Sequence, residues 1–422
     1  MKKLLYTAAH SGFNLSEVPL GGAASICQHL AREWTRTKPF EWEILGPSIL
    51  GDAAPRQKDL VRYSELDYAR FCQVFEKKLT ETILQHDPAS TVVLSNDVSE
   101  GPDFKTLAER GYSIFTIYHV DVVEYFAQIY LRSLVKPEWT TAFFRAIDRS
   151  GIAKVLPGVL RLVWAKQEAS VRSSKGLIVP SRRMKEVLLR CYPDTPPTKI
   201  HVLPWGVWDD PAPAEEIARE KEKLLDHYPV PERSFVLLML SRISPEKAQD
   251  RLLKALALWE TRSDFPKEGI TLLISGEAAY MMGKHYEKEL RRVAARLKRC
   301  RVHFVGYAAP ARKKALFEMS DLYVFPSRHE SYGLTLLEAL RAGRPVLTTP
   351  SHGAQEVFQS SFGRMIPPSR ESDIPRLMVG ALKDLLSDRA KLKEMGNHAK
   401  AWAIGQNFSD TATRLAWILI GL

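Results

Sequence analysis

The most informative stretch of the chain covers residues 326–340 and reads PSRHESYGLTLLEAL. The apolar run of residues 321–327 predicts a buried strand, and the leucines that recur at helical spacing from Leu334 onward predict an amphipathic helix. Gly333 lies between the two. The segment is therefore predicted to form a strand, a glycine-containing turn and a helix.

The start of this predicted helix favours an anion. The first amides of a helix have no partner within it, and the helix dipole adds positive character there. A diphosphate is expected over the backbone of Tyr332, Gly333 and Leu334. Carboxylates accept hydrogen bonds and repel phosphate, so Glu330 and Glu338 are better suited to sugar hydroxyls. One glutamate would hold a hexose and the other a ribose.

The two glutamates lie eight positions apart, with FPS before them, GL between them and EALxxGxPV from the second glutamate onward. This pattern resembles the E-x7-E signature of the retaining nucleotide-sugar glycosyltransferases of family 4. The resemblance implies an α/β fold with two Rossmann-like doubly wound domains facing across a cleft (GT-B). It also implies a hexosyltransferase with a front-face mechanism, in which the leaving phosphate accepts the acceptor's proton. Residues 170–422 carry the resemblance, and the first 170 residues share only the pattern of elements.

A second motif, SRISPEKA, follows the apolar run of residues 235–241. Arg242 and Lys247 are five positions apart in a loop that opens a predicted helix, residues 247–259. Two cations so placed can converge on a pyrophosphate and stabilise the charge that builds on a leaving diphosphate. The motif resembles the family's S-R-x-x-x-E-K-G loop, with Ala248 in place of glycine.

Strands and helical patterns alternate in both halves, which is typical of doubly wound parallel sheets. Twelve strands are predicted, at residues 4–7, 42–45, 91–95, 113–119, 176–180, 200–204, 235–241, 271–275, 302–305, 321–325, 346–349 and 363–366. A proline-rich, charged passage follows residue 206. We therefore divide the chain into an acceptor-binding domain, 1–206, and a nucleotide-sugar-binding domain, 207–407. The resemblance implies that the apolar helix of residues 408–422 returns to the first domain.

Three features of the first half are candidates for the site. Gly21 and Gly22 precede a predicted helix and resemble the glycine-rich loop that approaches the diphosphate, where glycine permits close approach. His119 ends a predicted strand, and the resemblance places it beside the hexose, although a lone histidine there is also commonly structural. Trp205 and Trp208 replace residues of the family's P-N-G-V-D turn and are expected to line an acceptor cleft.

The basic residues of the chain are concentrated in one region. The formal net charge is +11, and residues 131–190 contain thirteen Lys and Arg against four Asp and Glu. Such a region favours an anionic partner. Apolar residues interleave with the charges, which is typical of a membrane-surface helix. They are Leu131, Leu134, Val135, Trp139, Phe143, Phe144, Val163 and Trp164. The alternative is that these residues are core and the charges form a solvated face.

Other features of the sequence limit the possible functions. Four widely spaced cysteines suggest reduced thiols, and the chain shows neither a signal-peptide pattern nor an apolar run long enough to span a bilayer. We expect a cytoplasmic protein, peripheral on the inner face of a membrane. The absence of G-x-G-x-x-G disfavours a dehydrogenase. A non-catalytic nucleic-acid-binding protein would have no use for the paired glutamates, so no nucleic acid partner is expected.

The expected partners are a nucleotide-sugar and a lipid or lipid-linked saccharide acceptor. A UDP-sugar is favoured over a GDP-sugar, and no cofactor is expected. The resemblance implies that cations replace a metal at the diphosphate, so no metal is expected. The alternative is a soluble enzyme that acts on a small sugar or sugar phosphate.

Overall fold

Two parallel β-sheets organise the chain, each in its own unit. The computed structural model describes residues 3–10, 21–55, 60, 63, 65–129, 131, 134–150, 158–278 and 280–421. Unit 1 comprises Met1–Gly206 and Phe408–Leu422, and unit 2 comprises Val207–Asn407. All twelve predicted strands are confirmed. Eight of them are buried at all residues or all but one, and such strands of a parallel sheet are near-continuous apolar runs that are visible in a sequence.

The sheet of unit 1 has six strands in the order β2-β1-β3-β4-β5-β6, and every pairing is parallel. They are β1 (Lys3–Thr7), β2 (Trp42–Leu45), β3 (Thr91–Ser95), β4 (Ser113–Ile117), β5 (Gly176–Val179) and β6 (Ile200–Val202). The described helices between them are α1 (Gly22–Thr37), α2 (Glu65–Ile83), α3 (Phe104–Glu109), α4 (Val122–Ile129), α5 (Pro137–Arg149), α6 (Gly158–Ser173) and α7 (Arg182–Cys191). The strand order reverses between β1 and β3, which is where doubly wound sheets bind ligands.

The sheet of unit 2 has the order β12-β11-β10-β7-β8-β9 and is also parallel. Its strands are β7 (Phe235–Leu240), β8 (Ile270–Ser275), β9 (Cys300–Gly306), β10 (Leu322–Phe325), β11 (Val346–Thr348) and β12 (Gly363–Met365). Its helices are α8 (Ala214–His227), α9 (Gln249–Glu260), α10 (Tyr280–Ala294), α11 (Pro310–Met319), α12 (Leu334–Arg341), α13 (His352–Val357), α14 (Ile374–Leu386) and α15 (Arg389–Ile404). Here the order reverses between β7 and β10, so the loops that follow these two strands are the expected ligand loops.

The last helix, α16 (Phe408–Ile420), belongs to unit 1. Its apolar face is buried, with Leu415 and Ala416 nearly inaccessible to solvent. The indole N–H of Trp34 on α1 donates a hydrogen bond to the carbonyl of Ala412 at 3.2 Å. The chain therefore re-enters unit 1 after completing unit 2.

The four cysteines, Cys27, Cys72, Cys191 and Cys300, are buried and remain thiols. Burial raises the pKa of Cys72 to about 12, so this thiol stays protonated at neutral pH. The prediction of reduced cysteines is confirmed for these four residues. Among the helices that the structure describes, none combines the length and apolar character that a bilayer span requires.

Candidate functional site

The loops that follow β7 and β10 meet at the point of unit 2 where the strand order reverses. The amide of Arg328 donates to the carbonyl of Glu246 at 2.8 Å, which joins the two loops directly. The hydroxyl of Tyr323 on β10 donates to the carbonyl of Leu240 at 3.0 Å, at the end of β7. The sequence-predicted residues of the two motifs are therefore neighbours in space, although they are more than 80 positions apart in the chain.

Oppositely charged side chains alternate across this junction. The ammonium of Lys247 donates a hydrogen bond to Oε2 of Glu330, and both side chains are largely buried. Arg242 lies 3.7 Å from Oε1 of Glu246. Burial alone would raise the pKa of Glu246, but Arg242 and Lys247 lower it below its usual value. Arg242 remains 42% exposed, so its guanidinium can reach a ligand at the surface of this loop.

The position of Lys247 differs from the prediction. Lys247 ends a short 3₁₀ turn, Pro245–Lys247, and the following helix begins at Gln249 instead. Ala248 separates the two elements with φ +55° and ψ +39°, in the left-handed region that favours glycine. This backbone explains why the resembled motif has glycine here, and it shows that alanine also adopts the conformation.

The glycine-containing turn forms as predicted before α12. Gly333 precedes the helix with φ +87°, and a Cβ on it would lie 2.9 Å from the ring of Phe325. Tyr332 is 5% exposed, and Leu334 begins α12. The first amides of the helix are available to an anion at this end. Glu338 lies one turn further along the helix, where Lys313 of α11 donates to its Oε1 at 2.6 Å.

Several residues that hold the turn were not found from the sequence. Arg251 donates to the carbonyl of Pro326 at 2.8 Å, and it also pairs with Glu371. The guanidinium of Arg328 forms two hydrogen bonds with the carboxylate of Asp250, at 2.8 and 2.9 Å. Burial alone would raise the pKa of Asp250, but hydrogen bonds from Arg328 and Lys254 lower it. Because these partners of Arg251 and Arg328 lie 75 or more positions away in the chain, no local pattern could have revealed these contacts.

Two glycines of unit 2, Gly276 and Gly353, lie in close contact with the backbone of neighbouring loops. A Cβ on Gly276 would lie 1.9 Å from the carbonyl oxygen of Ser241, and Gly276 has φ +136°. A Cβ on Gly353 would lie 1.8 Å from the carbonyl oxygen of Tyr332. The amide of Gly353 also donates to the carbonyl of Glu330 at 3.2 Å. Residues 351–356 (SHGAQE) therefore support the turn that carries Glu330 through their backbone.

In unit 1, the sequence-predicted residues also gather where the strand order reverses, at the ends of β1, β3 and β4. His119 Nε2 lies 3.1 Å from Oδ1 of Asn96, which also accepts a hydrogen bond from the hydroxyl of Tyr6 at 2.5 Å. Gly21 precedes α1 with φ +101°, and both Gly21 and Gly22 are exposed. The side chain of Asn96 lies 3.5 Å from the carbonyl of Ala23, next to these glycines. Residues 11–20 of the predicted loop lie outside the described residues.

His119 is neutral at physiological pH. Burial lowers the pKa of its imidazole to about 3, and its ring stacks on Trp205 at 5.9 Å between centroids. Because Asn96 Oδ1 accepts, the proton is assigned to Nε2 of His119, which leaves Nδ1 as an acceptor. Trp205 is 2% exposed, so the expectation that it lines an acceptor cleft is wrong. Its indole packs in the interior against His119.

Two titratable residues that interact with each other, Asp97 and His10, were missed. Burial raises the pKa of Asp97 to about 7, although the nearby His10 acts in the opposite direction. His10 lies 3.5 Å from Glu100 and 3.1 Å from the hydroxyl of Tyr68. Asp97 directly follows the strand β3 and Asn96, a position from which polar residues commonly reach a ligand. The sequence therefore contained a signal for Asp97, because this residue closely follows a predicted strand.

We expect the half-buried, neutral His119 to make the protein sensitive to acid. The unfolded chain binds this proton near the ordinary pKa of 6.5, whereas the folded chain binds it only near pH 3. The stabilising contribution is therefore complete above pH 6.5 and is lost as pH falls toward 3. Denaturant unfolding between pH 4 and 8 should show that His119→Asn loses less stability on acidification than the native protein. Parallel stability curves would contradict the neutral state of this imidazole at pH 4 and above.

Comparisons with known proteins point to the class of protein. Residues 220–402 match the family model of group 1 glycosyl transferases. The GDP-mannose-dependent alpha-(1-6)-phosphatidylinositol monomannoside mannosyltransferase of Mycobacterium tuberculosis is 31% identical over 235 residues, which are 54% of this chain and 57% of that protein. The D-inositol 3-phosphate glycosyltransferase of Salinispora tropica is 28% identical over 58% of this chain and 50% of its own length. The chain thus spans about half the length of these curated relatives.

Solved structures establish the fold of the whole chain. HepE of Anabaena, solved in complex with UDP and glucose, has a TM-score of 0.63 at 18% identity, with all of both chains covered. WaaG, a glycosyltransferase involved in lipopolysaccharide biosynthesis, has a TM-score of 0.64 at 18% identity, covering 99% of this chain and 100% of its own. The two six-stranded units therefore form a GT-B fold.

Proposed function

We propose that this protein is a retaining glycosyltransferase of family 4 that moves a hexose from a nucleotide-sugar to a lipid or lipid-linked saccharide acceptor. One observation carries the proposal. At the strand-order reversal of unit 2, the cations Arg242 and Lys247, the carboxylate of Glu330 and the N-terminus of α12 converge. This combination suits a sugar diphosphate, because it offers donors to phosphate and an acceptor to sugar hydroxyls.

In the proposed reaction, the bond between the anomeric carbon and the diphosphate oxygen breaks as the acceptor oxygen bonds to the same face of the sugar. The electron pair of the broken bond stays on the diphosphate, which then takes the acceptor's proton. Arg242 and Lys247 stabilise the growing charge on the leaving group. Glu330 orients the hexose, and Glu338 holds the ribose. His119 is proposed to contact the hexose through its neutral imidazole.

We also propose that the donor is a UDP-sugar and that transfer needs no metal ion. A UDP-sugar is the prediction from the sequence, whereas the Mycobacterium relative is named for GDP-mannose and the Anabaena structure contains UDP. The test is nucleotide release from UDP-, GDP- and ADP-sugars in EDTA, with and without a bacterial lipid extract as acceptor. We expect one nucleotide to be released by the native chain, and its release to be lost in Arg242→Ala and Glu338→Ala. Release of no nucleotide under either condition would contradict the proposal.

We further propose that the acceptor is reached at an anionic membrane surface, through the start of α5 and the residues before it. Within the basic region of residues 131–190, Leu134, Trp139 and Phe143 are 84%, 62% and 69% exposed. Trp139 and Phe143 are four positions apart, so they share one face of α5. Lys136 lies over the ring of Trp139, 5.6 Å from its centroid, and supplies the charge that anionic headgroups attract.

The other apolar residues of this region support the alternative interpretation, in which they belong to the core and the charges form a solvated face. Phe144 and Trp164 are buried and stack at 5.8 Å between ring centroids. Leu131 and Val135 are half-buried, and the side chain of Val163 lies outside the described residues. The proposed membrane surface is therefore limited to Leu134, Trp139 and Phe143 together with their basic neighbours.

Vesicle flotation tests this surface and separates it from a soluble enzyme acting on a small sugar. The native chain should float with phosphatidylglycerol-containing vesicles at low salt, and Trp139→Ala/Phe143→Ala should not. Trp417→Ala is the matched control, because Trp417 is 52% exposed on α16. Failure of the native chain to float would favour the soluble enzyme. Equal flotation of all three proteins would exclude this part of α5.

A further inference from the structure

Lys313 is placed against the second glutamate of the signature by the fold alone. It lies on α11, which follows β9, and its ammonium donates to Oε1 of Glu338 at 2.6 Å. The two side chains are only 19% and 17% exposed. A hydrogen bond between opposite charges in such a partly desolvated place is stronger than one on an open surface. Lys313 therefore fixes the direction of the Glu338 carboxylate.

A second carboxylate shares this lysine. Asp210, in the passage before α8, lies 3.6 Å from the ammonium of Lys313. Burial acts to lower the pKa of Lys313, but Glu338 and Asp210 outweigh it, so its pKa is raised. The ammonium is therefore protonated throughout the physiological range.

This arrangement leaves one side of the carboxylate for a ligand. Lys313 engages Oε1, so Oε2 can be directed at a hydroxyl donor. Tyr307, which follows β9, is 46% exposed, and its pKa is raised by burial and by the charges of Asp210, Glu277 and Glu338. An accessible aromatic ring and an oriented acceptor thus lie on the same side of unit 2. A nucleoside offers a flat base and ribose hydroxyls, which suit these two groups.

We propose that Lys313 is a positioning residue of the donor site, which holds the Glu338 carboxylate aimed at the ribose hydroxyls of the nucleotide. This inference rests on the proposed donor site. Lys313 does not itself touch the donor. It acts through Glu338, with Asp210 keeping the ammonium in place.

The next residue provides a matched control. Lys314 is on the same helix and also forms an ion pair, at 2.8 Å, but its partner is Asp209. Asp209 is 54% exposed, so this pair lies nearer the solvent. The substitutions Lys313→Met and Lys314→Met therefore remove the same charge and the same kind of contact from adjacent positions. Only the first removes a contact with the signature glutamate.

The experiment measures binding of UDP, GDP and their 2′-deoxy and 3′-deoxy forms by calorimetry, for the native chain, Lys313→Met, Lys313→Arg and Lys314→Met. The native chain should prefer the ribonucleotide over at least one deoxy form. Lys313→Met should weaken ribonucleotide binding by about tenfold or more, which is the scale of one charge-assisted hydrogen bond. It should bind the deoxy form nearly as before, so that the preference disappears. Lys313→Arg should restore part of the preference, and Lys314→Met should behave like the native chain.

The outcomes separate this inference from the function on which it rests. If the native chain binds no nucleoside diphosphate, the proposed donor site fails and the role of Lys313 fails with it. If the native chain binds but Lys313→Met keeps the preference for ribose, only the positioning role is overturned. Thermal unfolding of each variant detects a general loss of stability. If the role of Lys313 were merely structural, Lys313→Met would weaken binding of the ribose and deoxy nucleotides equally.

Discussion

Replacing Lys247 with methionine is expected to lower kcat for sugar transfer by about 100- to 1,000-fold, the scale for loss of one preorganised charge in an active site. The ammonium is largely buried beside Glu330, so solvent cannot replace it well. Because negative charge grows on the diphosphate as it leaves, the loss should be larger in kcat than in donor affinity. The measurement is steady-state transfer with the donor that the nucleotide panel identifies.

The control for this substitution is Lys383→Met. Lys383 forms an exposed ion pair with Asp264 at 3.0 Å, so its removal tests loss of a charge without loss of the site. The double variant Lys247→Met/Glu330→Gln should lose less kcat than the product of the two single losses, because the two side chains contact each other. A kcat within tenfold of the native value for Lys247→Met would contradict the role assigned to this lysine.

Replacing Gly353 with alanine is expected to destabilise unit 2 by about 3 kcal/mol or more and to abolish donor binding. The added Cβ would lie within about 2 Å of the carbonyl oxygen, carbonyl carbon and Cα of Tyr332, at 1.8, 2.0 and 2.1 Å. These are backbone atoms, so no side-chain rotation can relieve the overlap. The turn that carries Glu330 and Gly333 must therefore move. Denaturant unfolding and nucleotide binding measure the two effects.

Gly380→Ala is the matched control for this prediction. Gly380 lies within α14, and a Cβ there would meet no atom within 4 Å. Alanine is the better helix former, so this variant should be more stable than the native chain by about 0.5–1 kcal/mol. A Gly353→Ala protein with native stability and native nucleotide binding would show that SHGAQE does not support the turn.

The fold could be predicted because most of its strands are buried on both faces. TVVLS and LYVF, the sequences of β3 and β10, are apolar runs of strand length and are bounded by polar or turn residues. The position of Glu330 in a turn and of Glu338 on a helix also followed from local sequence, since Gly333 and the leucine spacing define the helix start. Local pattern thus identified the elements and the strand ends at which we propose that the donor binds.

Long-range charge pairing could not be predicted. Lys247 and Glu330 are 83 positions apart, and Arg251 and Glu371 are 120 apart. Any of the many surface charges in the chain could have been the partner until the strand order brought β7 beside β10. The same limit applied to Lys313, which is an unremarkable lysine in the KK pair of α11. Its role depends on the distance to Glu338, which only the folded chain defines.

The surroundings of individual residues could not be predicted from the sequence either. Trp205 was expected at a cleft because it replaces a small polar residue of the resembled turn, but its ring is buried against His119. Lys247 was expected to begin a helix, whereas the left-handed backbone of Ala248 delays the helix to Gln249. In both cases tertiary packing overrides the local pattern.

Direct binding of nucleoside diphosphates in EDTA tests the central claim, a nucleotide-sugar site on unit 2 formed by Arg242, Lys247, Glu330, α12 and Glu338. Calorimetric titration of the native chain with UDP, GDP and ADP should show one-to-one binding of one of them without a metal. That binding should be lost in Arg242→Ala and in Glu338→Ala, while Lys383→Met retains it. Binding of none of the three nucleotides to the native chain, or equal binding to all four proteins, would contradict the claim.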